Sequence, residues 1–356
     1  RVALLEGAHE LGGLAVASGT SAIFYAIINL AQAGDNIISS TNLYGGSYTQ
    51  FANILPDLGI TVKFVDVNDQ AALAAAIDDK TRAVFTETLS NPASEISDLE
   101  AIADTAHAHG LPLIVDSTFT TPHLCRPLEH GADIVVHSLT KYLGGHGTAI
   151  GGIVIDSGKF NWAAGKHPLF DTPDTSYHGL RWGHDLPEPL APLAYILRMR
   201  TVPLRNLGAC ISPDNSWQIL QGIETLHLRM DRHCENALAV AKYLKSHDSV
   251  EWVKFPGLED DPEYARNQKY FSGKSGAVVT FEIKGGQEAG KAFIEKLQLF
   301  LHLANVGDAK SLAIHPASTT HSQLSAEQQT AAGITPGLIR LSIGIEHIDD
   351  IIADIN

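Results

Sequence analysis

The sequence predicts an α/β protein: a large domain built on a mainly parallel sheet, followed by a smaller α+β C-terminal domain. Three observations predict it. Short β-branched runs alternate with helical stretches through the first two-thirds of the chain. Those runs are continuously apolar, as strands covered on both faces are. After Ser212-Pro213 the alternation gives way to a long helical stretch and separate strands.

The strand-like runs are Asn36–Ser40, Thr61–Val67, Ala83–Glu87, Leu111–Asp116, Ile134–His137 and Gly152–Ile155. Helical stretches are expected between several of them, at Thr20–Gln32, Ser47–Leu58, Gln70–Ile77 and Leu99–His109. Gly34, Gly59 and Gly110 fall where a helix ends in a left-handed residue, and Ser97 or Asp98 caps the start of another helix. A single helix is predicted from Asp214 to about Ser246, then strands at Ala277–Ile283 and Leu338–Ile343 with a helix at Gln287–Leu297 between them. The domains are expected to cover 1–225 and 226–356, with the boundary on the long helix. Four prolines (187, 189, 192 and 203) mark Trp182–Pro203 as an irregular excursion. No internal repeat or low-complexity tract is present.

Composition narrows the function. The chain has 356 residues, enough for a large core, and 25 Lys and Arg against 40 acids give a net charge of −15. That surface repels polyanions, and no basic run offsets it, so neither nucleic acid nor an acidic membrane is an expected partner. No apolar stretch reaches the length of a membrane span, and the first residues lack the regions of a signal peptide. Three separated cysteines with no C-x-x-C pair suit a reducing, cytoplasmic setting. Seventeen histidines invite a metal site, but there is no H-E-x-x-H, and His107 and His109 point in different directions on a helix; no metal is expected.

In open α/β sheets, ligands gather at the carboxyl ends of the strands. Asp116 ends Leu-Pro-Leu-Ile-Val-Asp, Lys141 follows Ile-Val-Val-His-Ser-Leu-Thr one strand later, and Ser18-Gly19-Thr20 opens a helix after Leu14–Ala17. Taken singly these are a turn residue, a surface charge and a helix cap. Together they match what pyridoxal phosphate needs: a helix N-terminus and hydroxyls for the phosphate, an acid for the pyridine nitrogen, and a lysine for the aldehyde. Gly19 and Thr20 supply the first with Ser138 and Thr140, Asp116 the second, and Lys141 the third, because a buried lysine is available as a nucleophile. A nucleotide-dependent oxidoreductase is disfavoured: no G-x-G-x-x-G follows the first strand, and Gly144-Gly145-His-Gly147 comes after the lysine.

Six blocks carry a family resemblance: Ala-Ser-Gly-Thr-Ser-Ala (17–22), Leu-Tyr-Gly-Gly-Ser-Tyr (43–48), Glu-Thr-Leu-Ser-Asn-Pro (87–92), Val-Asp-Ser-Thr-Phe (115–119), His-Ser-Leu-Thr-Lys-Tyr-Leu-Gly-Gly-His (137–146) and Arg-Leu-Ser-Ile-Gly-Ile-Glu (340–346). With them the chain resembles the Cys/Met-metabolism pyridoxal-phosphate enzymes, the cystathionine γ-synthase-like family, essentially end to end. The resemblance implies the type I fold of PLP-dependent transferases. It implies that Lys141 is the Schiff-base lysine and proton shuttle, that Asp116 pairs with the pyridinium, and that Gly19, Thr20, Ser138 and Thr140 hold the phosphate. Tyr44 would stack over the ring and assist at the leaving group, Asn91 would lie near the phenolic oxygen, and Arg340 with Asn305 would bind the substrate carboxylate, a task suited to the planar guanidinium.

Within the family, Ala304-Asn-Val-Gly-Asp-Ala-Lys-Ser-Leu312, Ile314-His-Pro-Ala-Ser-Thr-Thr-His321 and Phe170 to Gly179 look like O-acetylhomoserine sulfhydrylases. Gly46 stands where methionine γ-lyases typically carry cysteine. The implied reaction is γ-replacement on O-acetyl-L-homoserine by sulfide or a small thiol, giving homocysteine or methionine and acetate. The alternatives are cystathionine γ-synthase, methionine γ-lyase or cystathionine lyase activity, or a catalytically silent scaffold. The resemblance also implies a homotetramer of active-site-sharing dimers. In the family an N-terminal arm sends a Tyr and an Arg to a neighbouring subunit's cofactor phosphate; that arm is not in this sequence, whose Arg1 falls where the first helix of the large domain is expected. Val-Asp-Ser117 departs from the commoner Val-Asp-Asn.

Overall fold

Strands of the first sheet leave their polar C-terminal residues along one edge, and that edge positions the chemistry. A computed structural model describes residues 1–90, 94–319 and 334–356. The chain forms two compact units. The first holds Arg1–Ser90, Ile96–Thr140 and Ala149–Ile219; the second holds Lys141–Thr148, Leu220–Asn356 and a short piece ending at Glu95.

In the first unit, seven strands run β1 (Gly13–Val16), β2 (Asn36–Ser40), β3 (Thr61–Val65), β4 (Thr81–Glu87), β5 (Leu113–Asp116), β6 (Ile134–Ser138) and β7 (Gly152–Asp156). They form one sheet in the order β1-β7-β6-β5-β4-β2-β3. Every pairing from β6 to β3 is parallel, and β7 runs antiparallel to both β6 and β1. The strands β2, β4 and β7 are buried at every residue, as strands of a sheet covered on both faces are, although β2 and β4 also carry polar residues at their ends. Glu87, Asp116 and Ser138 are the last residues of neighbouring parallel strands.

The helices Gly19–Ile28, Gln70–Ala76 and Leu99–Ala108 occupy the expected stretches. Gly34, Gly59 and Gly110 adopt the left-handed φ of +91, +81 and +68°. Asp98 takes the N-cap position, while the Ser97 hydroxyl donates to the Glu87 carbonyl at 2.8 Å. The Ser47–Leu58 stretch begins earlier, at Gly45, and widens into a π-helical turn at Gln50–Ile54 just before Pro56. The missing N–H and the ring of a proline disfavour the ordinary ladder at that place.

The Trp182–Pro203 excursion is irregular only in its first half. Beyond Pro192 the chain turns helical at Ala194–Met199, with Ala194, Tyr195, Ile196 and Met199 buried. The Tyr195 hydroxyl donates to the Ala26 carbonyl at 2.8 Å and Arg198 to the Asn29 carbonyl at 2.7 Å. Trp162 stacks on both Phe170 and Tyr195, with ring centroids 4.5 and 5.0 Å away. This segment is part of the core.

In the second unit, β8 (Val250–Lys254), β9 (Val278–Ile283), β10 (Leu301–His302), β11 (Leu312–Ile314) and β12 (Leu338–Ser342) form a sheet in the order β10-β11-β12-β9-β8. Only the β10–β11 pair is parallel. Ala237, Val240 and Leu244 pack with Val279, Phe281, Ile339 and Leu341. The helix expected from Asp214 to Ser246 is two helices, Pro213–Glu224 and Leu226–Lys245, parted at Thr225. The Gly222 carbonyl, which an unbroken helix would pair four residues on, instead accepts from the Thr225 N–H at 3.3 Å and from the Arg229 guanidinium at 2.7 Å. Among the described residues, no helix is long and apolar enough to cross a membrane.

Candidate active site

The first unit supplies an anion cradle and an acid. Ser18 caps the helix Gly19–Ile28, its hydroxyl accepting from the Ser21 N–H at 3.0 Å. That leaves the N–H groups of Gly19 and Thr20 without an acceptor among the described residues, at the end of the helix that favours negative charge. Gly19 is pressed against the end of β6: a Cβ there would stand 2.6 Å from the Ser138 Cβ. Thr20 is exposed and Ser138 half-buried. The Thr140 hydroxyl exchanges hydrogen bonds with the Gly151 backbone, donating to its carbonyl at 3.3 Å and accepting from its N–H at 3.2 Å.

Asp116 ends β5, the strand next to the one that Ser138 ends. Its Oδ1 accepts from the Thr118 N–H at 2.9 Å and the Thr118 hydroxyl at 2.5 Å. The same hydroxyl oxygen accepts the Ser138 N–H at 2.8 Å, so one threonine ties the acid to the cradle. Burial raises the Asp116 carboxyl above its ordinary value, and the Thr118 bonds and His137 pull it down. A cationic ring nitrogen at Oδ2 would supply the missing countercharge. Ser117 points elsewhere: it is fully buried, its hydroxyl 2.7 Å from that of Thr120. His137 faces away from Ser138, as alternate strand residues do, and sits buried against the Glu6 carboxylate at 2.6 Å.

Tyr44 is half exposed, at 50%, and its backbone N–H donates to Glu87 Oε1 at 2.8 Å. Glu87 pairs in register with Asp116. Burial first, then the neighbouring Asp116 charge, push the Glu87 carboxyl well above its ordinary value, against the pull of the Tyr44 N–H. Gly46 has the Tyr44 ring beside it: a Cβ at 46 would lie 2.5 Å from Tyr44 Cε1. Any side chain there requires the ring to move.

The second unit supplies an amine and its neighbours. Lys141, which follows Thr140 directly, is half-buried, and its Nζ donates to Asn305 Oδ1. Arg340 Nη2 reaches the Asn305 carbonyl at 3.5 Å. Burial, and then the Arg340 charge, lower the Lys141 pKa, which favours the neutral, nucleophilic amine. The lysine main chain is held tightly. The Gly145 N–H donates to the Lys141 carbonyl at 2.7 Å, and a Cβ at Gly307 would meet the Tyr142 nitrogen at 2.6 Å and the Lys141 carbonyl carbon at 2.9 Å.

The residues fit pyridoxal phosphate: open N–H groups at a helix start for the phosphate, an acid with one committed oxygen for the ring nitrogen, and an amine with its charge disfavoured for the aldehyde. The structure brings Gly19, Ser138 and Asp116 together through Thr118 in one unit, and Lys141, Asn305 and Arg340 together in the other. Asn91 lies outside the described residues. Thr118, Glu87 and Arg229 were not selected from the sequence. Thr118 lies two residues from Asp116, the spacing of a side chain that turns its own backbone, and Glu87 ends a strand next to the one Asp116 ends; both signals were available.

Fold and residues together define a type I pyridoxal-phosphate enzyme. The match to the family model of the Cys/Met metabolism PLP-dependent enzymes runs over residues 1–356, and the chain belongs to that family. It is 54% identical over 360 residues to the O-acetyl-L-homoserine sulfhydrylase of Leptospira meyeri, covering all of this chain and 81% of that one. A Campylobacter jejuni protein described as an O-acetylhomoserine (thiol)-lyase, crystallised with N'-pyridoxyl-lysine-5'-monophosphate, matches with a TM-score of 0.92 and 44% identity over 99% of this chain and 83% of its own. The O-acetylhomoserine sulfhydrylase of Wolinella succinogenes matches with a TM-score of 0.83 and 37% identity, over 99% and 92%.

Proposed function

We propose that this enzyme replaces the γ-acetoxy group of O-acetyl-L-homoserine with sulfide or a small thiol, releasing acetate and giving homocysteine or methionine. The observation that carries the reading is the 54% identity, along the whole chain, to a sulfhydrylase of that substrate. Gly46, with the Tyr44 ring beside it, supports it over methionine γ-lyase activity.

Each side chain then has a task. Bound pyridoxal phosphate supplies an electron sink for the charge that develops when a proton leaves Cα. Lys141 would hold the cofactor and, once released, its neutral amine would take the Cα proton, give that proton up, and only then, neutral again, take a Cβ proton. Burial and then the Arg340 charge lower the pKa of that amine, which favours its neutral form. Arg340 pairs with the substrate carboxylate, and Asn305, bonded to Lys141 and Arg340 through different oxygens, sets the distance between base and anchor. Such orientation is much of what a protein adds to a cofactor. Asp116 keeps the ring nitrogen protonated, and Gly19, Thr20, Ser138 and Thr140 hold the phosphate. Tyr44 would stack on the ring and pass a proton at the leaving group; the family resemblance gives Asn91, outside the described residues, the phenolic oxygen.

The active form in this reading is a homotetramer of active-site-sharing dimers, working in the cytoplasm. Three free cysteines, Cys125 and Cys234 buried and Cys210 exposed, suit a reducing compartment. An assay comparing O-acetyl-L-homoserine plus sulfide with methionine and cystathionine tests the substrate. Homocysteine should form fastest from the first; rapid release of α-ketobutyrate from methionine would overturn the reading.

A further inference from the structure

We propose that Arg229 is a positioning residue for Lys141, its guanidinium clamping the turn that carries the lysine. The inference rests on Lys141 being the cofactor lysine.

Arg229 is 4% exposed and sits one turn into the helix Leu226–Lys245. A buried guanidinium is costly unless its donors are matched. Here Nη1 donates to the Tyr142 carbonyl at 2.8 Å, Nη2 to the Gly222 carbonyl at 2.7 Å, and Nε to the Thr225 hydroxyl at 3.2 Å. Its acceptors are thus two main-chain carbonyls and a hydroxyl. One carbonyl is that of the residue after Lys141; the other belongs to the broken end of the preceding helix.

The opposite side of the lysine turn touches the same group. Lys141 to Gly145 closes on itself through the Gly145 N–H and the Lys141 carbonyl at 2.7 Å. Gly145 has a φ of +72°, and a Cβ there would stand 2.2 Å from Arg229 Nη1. One guanidinium therefore bonds the second residue of this turn and abuts its last. Gly222 presses on the same segment, where a Cβ would meet the Gly144 carbonyl oxygen at 2.0 Å. The helix break at Thr225, the glycines and the arginine act on the main chain of the residues that present Lys141. A lysine at 229 keeps the charge but not the planar fork, and cannot reach three acceptors in these directions.

The test uses the holoenzyme and three variants, Arg229→Lys, Arg229→Met and Gly145→Ala. Arg229→Lys should lower kcat by about 10- to 100-fold with a smaller change in KM, as small misplacements of a reacting group do. It should also shift the pH at which the visible band of the lysine-bound cofactor changes, while borohydride still fixes the cofactor on Lys141. Gly145→Ala, which pushes the guanidinium, should move the same band in a chain with all of its donors. Should Arg229→Met fail to fold, the other two variants decide. An unchanged kcat and an unchanged band in Arg229→Lys, with only a lowered melting temperature, would reduce Arg229 to a structural residue and overturn the inference. Borohydride labelling away from Lys141 in the unmodified protein would overturn the site reading and this inference together.

Discussion

The backbone N–H of Tyr44 is held by the Glu87 carboxyl at 2.8 Å, and Glu87 is the in-register neighbour of Asp116. An acid that anchors the tyrosine proposed to stack on the ring thus stands beside the acid proposed for the cofactor nitrogen. Because burial and then the Asp116 charge raise the Glu87 carboxyl well above its ordinary value, its neutral form is favoured, and a glutamine resembles that form in charge and shape. Glu87→Ala should lower kcat/KM by about 10-fold or more through loss of the Tyr44 anchor, and Glu87→Gln by only about 3-fold. Steady-state kinetics on both variants check this, and equal damage would remove Glu87 from the account.

The Arg340 charge is one of two forces that lower the Lys141 pKa. Replacing it by leucine removes a repulsion on the ammonium, so the Lys141 pKa should rise and its neutral fraction at a fixed pH should fall. The rate at which apoprotein captures pyridoxal phosphate, followed against pH, should move to higher pH in Arg340→Leu. A profile unmoved, or moved to lower pH, contradicts the electrostatic link.

Gly19 is where the cradle has no room. A Cβ there would stand 2.6 Å from Ser138 Cβ and 2.9 Å from its Cα, although alanine is otherwise a better helix former. Gly19→Ala should therefore weaken cofactor binding by about 10- to 100-fold, the result of misplacing phosphate donors, with little loss of secondary structure. Equilibrium titration of apoprotein with pyridoxal phosphate measures it.

Asp156, fully buried at the end of β7, has its carboxyl pushed up to about 7, chiefly by burial and against its bonds from the Gly158 and Ile196 N–H groups. A folded-state pKa above the unfolded value favours the folded state only at low pH. That stability is complete below about 4 and is lost as pH rises towards 7, by about 4 kcal/mol at most. The melting temperature of Asp156→Asn, relative to the unmodified protein, should therefore climb between pH 5 and pH 8. A constant difference contradicts the assignment.

Much of the first unit was legible because its strands are buried on both faces and its helices end in glycines with positive φ. Lys141 and Asp116 could be found because strand-end placement is a local property of the sequence. The short strands β10 and β11 were not legible, since two or three residues carry no period, and β8 lies at a sheet edge with mixed exposure. Nor was Arg229: its acceptor at Tyr142 lies 87 residues earlier, and nothing around an arginine in a helix marks such a partner. The break at Thr225 escaped for the same reason, because the contact that relieves it is made by tertiary packing.

The central claim is that Lys141 carries the cofactor. Borohydride reduction of the purified holoenzyme, followed by digestion and peptide mass analysis, tests it most directly. The account predicts a pyridoxyl-phosphate adduct on the peptide containing Lys141 and its loss in Lys141→Ala. An adduct on another lysine, or none in a protein saturated with pyridoxal phosphate, would contradict it.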